Sequence, residues 1–174
     1  TNKGSPIQFV PLTIGPWVAV SAGDDLACML RGAVGSREVL CWGSNRRLDG
    51  SWTGQMALSN LPIFSNPRPI SVGDDSACAL DDNGLNCWGS DAFGIVSLAP
   101  SLVNPIKVEV GRNHACALDA NGLQCWGLNN YGQVSIPASG KLERARSPLP
   151  LNITDFDVGA RATCAIHSDG AKCW

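Results

Sequence analysis

Long apolar runs, charge and histidine are all scarce in this chain of 174 residues. No stretch approaches the roughly 18 consecutive apolar residues of a transmembrane helix, so the sequence predicts no membrane span. Lys, Arg, Asp and Glu make up only 16% of the residues, and the formal net charge is −2. Because nucleic-acid binding requires a basic surface, we expect no nucleic-acid partner. The short basic stretch Lys141 to Arg146 is interpreted as a solvated loop.

Cysteine, by contrast, is abundant and regularly spaced. Eight cysteines form four pairs, and each pair ends in Cys-Trp: Cys28 with Cys41, Cys78 with Cys87, Cys116 with Cys125, and Cys164 with Cys173. A glycine stands five residues before the first cysteine of every pair: Gly23, Gly73, Gly111 and Gly159. One repeated structural unit would explain this pattern.

The spacing within each pair fits a β-hairpin. If Cys78 and Cys87 lie opposite each other on antiparallel strands, Leu80 opposes Leu85 and the segment from Asp81 to Gly84 forms the turn. Asp and Asn suit the early turn positions, and glycine supplies a positive φ at the exit. The same register predicts turns that end at Gly122 and Gly170. In the first pair only the turn is longer, and Leu30 opposes Val39.

Directly opposed strand positions bring Cβ atoms close enough for a disulfide. Zinc is the alternative, but structural zinc sites usually place two cysteines two to four residues apart. Here eight or twelve residues separate them, and the chain has only two histidines. We therefore predict four disulfides and no metal site.

Paired cysteines indicate an oxidising compartment, so we expect an extracellular or cell-surface protein. The chain has neither a charged start nor the apolar core of a signal peptide, which we interpret as a signal peptide already removed. Asn152-Ile153-Thr154 is a glycosylation sequon, and it would carry a glycan only in a eukaryotic source.

The paired cysteines recur at steps of 50, 38 and 48 residues, a period that indicates a solenoid, an array or a propeller. Alternating β-branched segments precede each glycine, as in P-I-K-V-E-V-G, and predict a first strand. A-C-A-L and L-x-C-W-G predict a second and a third strand. A further segment follows Trp-Gly: S-W-T-G-Q-M in the first unit, F-G-I-V in the second and Y-G-Q-V in the third.

The third unit reads V-x-V-G-x-x-H-A-C-A-L-D-x-N-G-L-x-C-W-G-x-N-x-Y-G-Q-V, which resembles the repeat of the regulator of chromosome condensation family. The resemblance implies that each repeat contributes one four-stranded blade to a β-propeller. We therefore expect an all-β, propeller-like array of four blades, each a small antiparallel sheet with one intra-hairpin disulfide. The cysteine pairs mark a secreted variety. The family's usual histidine survives only as His114, and the best-known members have seven blades.

We predict one repeat domain over residues 1–174, with units of roughly 1–46, 47–91, 92–130 and 131–174. The step from Cys164 through the chain end and the chain start to Cys28 would be 38, which equals the shortest internal step. The segment from Pro6 to Leu12 is therefore expected to complete the last blade. It could do so within one ring-shaped chain or in a neighbouring molecule, which would build a fibre.

Repeated acidic pairs are the first candidates for chemistry. Asp24-Asp25 and Asp74-Asp75 follow the blade glycine, where paired carboxylates could act as acid and base or bind a cation. The third and fourth units have Arg112-Asn113 and Ala160-Arg161 instead, so we expect turn and inter-blade pairing.

Neither histidine suggests catalysis. We expect His114 to be packed and hydrogen-bonded and His167 to be exposed in a turn, and the predicted disulfides use every cysteine. The sequence therefore predicts no catalytic residue, no cofactor and no enzyme.

Tryptophan recurs after the second cysteine of each pair, at Trp42, Trp88, Trp126 and Trp174. Equal placement in every unit favours packing between blades. Trp17 and Trp52 lie outside this pattern and are the candidate binding residues, because exposed aromatic side chains often anchor protein contacts. Phe64 and Tyr131 are weaker candidates.

The sequence thus predicts a non-enzymatic extracellular module for protein interaction or self-assembly, with other copies of itself as the first expected partner. One form of this hypothesis is a fibre-forming subunit joined by strand donation. The alternative is a secreted propeller-type enzyme inhibitor or ligand-binding protein, since some β-lactamase inhibitor proteins share the family's propeller.

Overall fold

The computed structural model describes residues 16–24, 26–46, 52–55, 61–134, 142–146, 153–167 and 170–174. Within these ranges the chain forms fourteen β-strands in four antiparallel sheets and no helix. None of the described segments could therefore cross a membrane as a helix. The predicted all-β array of four blades is confirmed.

The strands of each blade are hydrogen-bonded in chain order. Blade 1 contains β1 (Trp17–Ala22), β2 (Leu26–Arg31), β3 (Glu38–Arg46) and β4 (Trp52–Gln55). Blade 2 contains β5 (Ile70–Val72), β6 (Ser76–Asp81) and β7 (Gly84–Gly89). Blade 3 contains β8 (Lys107–Val110), β9 (His114–Asp119), β10 (Gly122–Leu128) and β11 (Leu142–Arg146). Blade 4 contains β12 (Ile153–Val158), β13 (Thr163–His167) and β14 (Gly170–Cys173).

Each blade has the predicted hairpin register and one disulfide within the hairpin. Leu80 lies opposite Leu85, and Leu30 lies opposite Val39. The bridges join the four predicted pairs: Cys28 to Cys41, Cys78 to Cys87, Cys116 to Cys125, and Cys164 to Cys173. No cysteine is left free.

The hairpin turns end on glycines with positive φ, as predicted: 121° at Gly84, 109° at Gly122 and 128° at Gly170. An aspartate at the start of the turn has a second task that the sequence did not reveal. Oδ1 of Asp119 accepts the Asn121 N–H at 2.7 Å, and its Oδ2 accepts the Val103 N–H at 2.9 Å. The carboxylate therefore holds both the turn and the incoming loop.

The outer strands differ from the sequence-based outline. F-G-I-V and Y-G-Q-V form turns rather than strands. The fourth strand of blade 3 is Leu142–Arg146, so the prediction of a solvated loop at this stretch is wrong. β4 and β11 belong to the sheets of blades 1 and 3 although they lie beyond the approximate unit limits at residues 46 and 130. β4 lies within S-W-T-G-Q-M, the further segment predicted in the first unit, whereas β11 carries no repeated motif and the sequence did not reveal it. Residues 6–12 and Asn152 lie outside the described ranges.

The apolar core lies between neighbouring blades, in three separate clusters. In blades 1 to 3 the disulfide face packs against the following blade, and we call this face of every blade the trailing face; in blade 2 it carries Cys78 and Leu80. The opposite, leading face packs against the preceding blade; in blade 2 it carries Ile70 and Ala79. Every internal interface therefore joins a trailing face to a leading face.

Candidate interaction surfaces

The recurring tryptophans lie on leading faces and pack between blades. Trp88 is buried against blade 1, and Phe64 meets its ring edge-on at a centroid distance of 5.4 Å. Trp126 is buried against blade 2 and donates its indole N–H to the Ile95 carbonyl at 2.8 Å. Trp174 packs on the cluster that joins blades 3 and 4. The predicted packing role is confirmed for these three, while Trp42 on blade 1 stays partly exposed.

His114 joins blade 3 to blade 4. Its Nε2 lies 2.8 Å from Oγ1 of Thr163, whose hydroxyl donates to the Gln133 carbonyl at 2.9 Å. Because the Thr163 proton is committed, His114 Nε2 must donate in this contact. Complete burial lowers the pKa of His114 to about 4, so the ring is neutral at physiological pH. The expectation of a packed, hydrogen-bonded histidine is confirmed.

The acidic pairs occupy turns, and one of them pairs across blades. Arg112 Nε lies 2.9 Å from an Asp74 carboxylate oxygen, which links the turns of blades 2 and 3. Asp24 is exposed, and Asp25 lies outside the described ranges. In the described part of the chain, no three histidine, cysteine, aspartate or glutamate side chains form a group that could hold a metal ion.

One end of the blades forms a surface that we call the turn-side surface. It consists of the turns after three blade glycines, at residues 73–76, 111–114 and 159–162. The loops at residues 90–93 and 128–131, which contact these turns, also belong to it. The Leu128 N–H donates to the Asn113 carbonyl, for example. Arg161 lies over the ring of Tyr131 at 4.9 Å, and Tyr131 is 60% exposed. Of the two weaker aromatic candidates, Tyr131 therefore lies on the surface.

The two tryptophans predicted as binding residues lie in different strands of blade 1. Trp17 begins β1 and Trp52 begins β4, which lie at opposite edges of the blade 1 sheet. Trp17 is partly buried, with the Arg31 guanidinium 5.9 Å from the centre of its ring. Arg31 is itself paired with Glu38, so Trp17 is part of the packing within blade 1.

Sequence reasoning missed two exposed apolar faces. On the leading face of blade 1, Val20 is 66% exposed. The residues at the same register position in the other blades are buried: Ile70 is 9% exposed, Val108 1% and Phe156 2%. On the trailing face of blade 4, Ile166 is 51% exposed. The residues at the same register position in the other blades are buried: Leu30 is 1% exposed, Leu80 1% and Leu118 6%. These side chains occupy inter-blade positions without an adjoining blade among the described residues.

Comparison with known proteins agrees with this architecture. Residues 106–133, which contain β8 to β10, match the regulator of chromosome condensation (RCC1) repeat. None of the curated protein sequences matches the chain significantly. The chain therefore contains an RCC1-type repeat.

Solved structures show the same fold. Prp20p from Saccharomyces cerevisiae is 22% identical, with a TM-score of 0.68, over 90% of this chain and 43% of that one. The yeast RCC1 (Prp20) structure with Kap60 is 21% identical, with a TM-score of 0.67, over 89% and 41%. The ectodomain of the Physcomitrella patens receptor kinase CR4 is 28% identical, with a TM-score of 0.61, over 91% and 40%. The chain has an RCC1-type β-propeller fold and spans about two fifths of these structures.

Proposed function

We propose that this chain is a non-enzymatic protein-interaction module that acts outside the cell or at its surface and whose partners include other copies of itself. The exposed inter-blade positions Val20 and Ile166 carry the proposal. Apolar side chains at these positions are buried in every internal interface, and contiguous exposed apolar surface typically marks a protein contact. Low overall charge also favours association.

The similar structures support a role in protein binding. The Prp20p structure is described together with binding to Gsp1p and histones, and yeast RCC1 has been solved bound to Kap60. Gsp1p, histones and Kap60 are all protein partners, although each of these solved chains is more than twice as long as the part that this chain covers. A fold of this kind does not fix a function by itself, so the proposal depends on the surfaces of this chain.

An extracellular location is supported by two features. Four disulfides within hairpins are typical of proteins that fold in an oxidising compartment. The chain also resembles a receptor-kinase ectodomain at 28% identity. Both features favour secretion or cell-surface display over the cytosol.

The absence of enzymatic activity is supported by how the reactive side chains are used. All eight cysteines form disulfides, and His114 is buried, neutral and bound to Thr163. Asp74 is paired with Arg112, and an ion pair of this kind stabilises rather than activates a carboxylate. The Thr163 hydroxyl lies beside the His114 imidazole, but it is buried and donates its proton to the Gln133 carbonyl, so this pair is not arranged as a nucleophile with a general base.

Sedimentation equilibrium of the purified chain over a wide concentration range tests the proposal. We expect the average mass to rise above 18.3 kDa with concentration, and to rise further in sulfate, which strengthens apolar association. A mass of 18.3 kDa at every concentration would exclude self-association.

A secreted inhibitor or ligand-binding protein is the second candidate, favoured by the Tyr131–Arg161 pair. Tyrosine and arginine are enriched at the centres of protein interfaces, and Tyr131 holds the Arg161 guanidinium in place. A panel of secreted enzymes, assayed with the chain and with a Tyr131→Ala variant, tests this function. An enzyme that the chain inhibits and the variant does not would support it, and a panel without any inhibited enzyme would count against it.

A further inference from the structure

We infer that the trailing face of blade 4 docks on the leading face of blade 1 in another copy of this chain, head to tail. The inference rests on the self-association proposed above, and it names the two surfaces and their direction. In blade 4 the trailing face carries Ile166, Ala171 and the Cys164–Cys173 bridge. In blade 1 the leading face carries Val18, Val20, Ala22 and Met29.

These two faces are the same pair that meets in each of the three internal interfaces. In the blade 2–blade 3 interface, Cys78 and Leu80 of the trailing face contact Val108 and Ala117 of the leading face. The hairpin registers place Ile166 at the position of Leu80, and Val20 at the position of Val108. The outward faces therefore present apolar groups that already complement each other three times within one chain.

A row of blade glycines shows how closely such faces approach. A Cβ atom on Gly23, Gly73 or Gly111 would overlap the carbonyl oxygen of the glycine in the following blade. At Gly159 an added Cβ would meet no atom closer than the Ala162 carbonyl, at 3.5 Å, within the part of the chain that is described. Blade 4 thus keeps a glycine at the position where the other blades touch the next glycine of the row, but no such glycine lies beside Gly159 among the described residues. In the proposed contact, Gly23 of another copy would lie there.

A polar contact between blades recurs in two of the three internal interfaces, whereas in the third the Val158 N–H donates to Asp157 of its own blade. Ser21 on the trailing face of blade 1 accepts the Val72 N–H at 3.0 Å, and Ser71 of blade 2 accepts the Val110 N–H at 2.9 Å. The corresponding position in blade 4 is Asp157, which is exposed; its Oδ1 accepts the Val158 N–H at 2.9 Å, and its other carboxylate oxygen can accept a further hydrogen bond. Its expected donor in the other copy is the backbone N–H of Ala22, which corresponds to Val72.

The contact joins two different surfaces. Each of the two copies therefore still has one uncovered outward face, to which a further copy can bind. Such a heterologous interface produces a ring when the rotation closes and a filament when it does not. A second copy is the occupant we commit to, because it brings a leading face with apolar side chains at the same register positions as the internal ones, although Met29 stands where those faces have alanine.

Two charged substitutions test the direction of the contact. Ile166→Lys blocks the trailing face and Val20→Lys blocks the leading face, and both side chains are largely exposed, so each variant should fold. We expect each variant alone to associate at least about 100-fold more weakly than the parent chain, because a buried lysine without a partner opposes docking. A 1:1 mixture should form a heterodimer that grows no further. Ile106→Lys, at a position 63% exposed outside both faces, is the control and should associate as the parent chain does.

Sedimentation velocity separates the outcomes. The head-to-tail contact is wrong if the variants associate like the parent chain. It is also wrong if the mixture stays monomeric while the parent chain associates. Either result would leave the proposed self-association standing. A parent chain that is monomeric throughout would overturn both, as expected if further blades of the same polypeptide or an unrelated protein cover these faces. In that case binding of other partners through Tyr131 and Arg161 would still stand.

Discussion

His114 Nε2 donates a hydrogen bond to Thr163 Oγ1 over 2.8 Å and thereby connects blade 3 to blade 4. Thr163 donates onward to the Gln133 carbonyl. His114 and Gln133 both belong to the repeat motif of the third unit, so two motif residues that are far apart in sequence form one contact between blades. The contact requires a neutral imidazole, because the buried ring has no partner for a second proton among the described residues.

The unfolding free energy should therefore depend on pH through His114. Burial lowers its folded-state pKa to about 4 from 6.5, so above pH 6.5 the ring is neutral in both states and contributes no pH dependence. As the pH falls from 6.5 to 4, only the unfolded chain binds the proton, and stability declines by up to about 3 kcal/mol. Urea unfolding at several pH values between 7 and 5 measures this slope before most carboxylates titrate.

Two variants assign the slope to this residue. His114→Gln should lower stability at pH 7 but flatten the pH dependence between 6.5 and 5. His167→Gln, which changes the other histidine of the chain, should keep the parent slope. If both variants keep it, another group causes the effect and the assignment to His114 is wrong.

Gly84 should be sensitive to substitution through its backbone alone. Its φ is 121°, yet an added Cβ would meet no atom within 4 Å. Gly84→Val should therefore lower the free energy of unfolding by more than about 1 kcal/mol, because β-branched residues resist positive φ. Gly84→Asn should cost less. Equal melting temperatures for the parent chain and the valine variant would contradict this account of the turn.

Substitution by alanine should lower the stability of the fold at Gly111 but not at Gly159. At Gly111 the new methyl group would overlap the Gly159 carbonyl, so Gly111→Ala should separate blades 3 and 4 and destabilise the fold by roughly 1–3 kcal/mol. Gly159→Ala should leave stability unchanged and weaken association between copies. Thermal unfolding and light scattering on both variants decide this, and similar stability losses at the two sites would count against the glycine row.

The disulfides should stabilise each hairpin separately. Replacing Cys78 and Cys87 together with alanine should cost about 2–3 kcal/mol, because an unbridged loop of this length gains chain entropy on unfolding. Denaturant unfolding measures the loss.

Non-reducing peptide mapping of the parent chain should yield four bridges, each within one hairpin, and a bridge between blades would refute the pairing.

Short-range signals predicted much of this fold. The cysteine spacing fixed which residues oppose each other in the hairpins, and the glycines at 84, 122 and 170 marked positive φ. Both features depend on residues only a few positions apart, where geometry restricts the choices. The burial of Trp88 and Trp126 followed from their recurrence, since equivalent positions in a repeat have equivalent neighbours.

Long-range features could not be predicted in the same way. Leu142–Arg146 has the composition of a solvated segment, and only its pairing with β10 makes it a strand. The stacking of Arg161 on Tyr131 depends on how two blades meet. The exposure of Val20 and Ile166 likewise depends on what lies beside each blade, whereas their local sequence resembles that of buried strands.

Hydroxyl-radical footprinting at increasing protein concentration tests the central claim most directly, because it reports the exposure of individual side chains. Ile166 and Met29 lie on the two outward faces, and Tyr131 on the turn-side surface is an internal reference. The account predicts that Ile166 and Met29 become protected together as concentration rises while Tyr131 does not. Protection of only one face, or of neither, would contradict it.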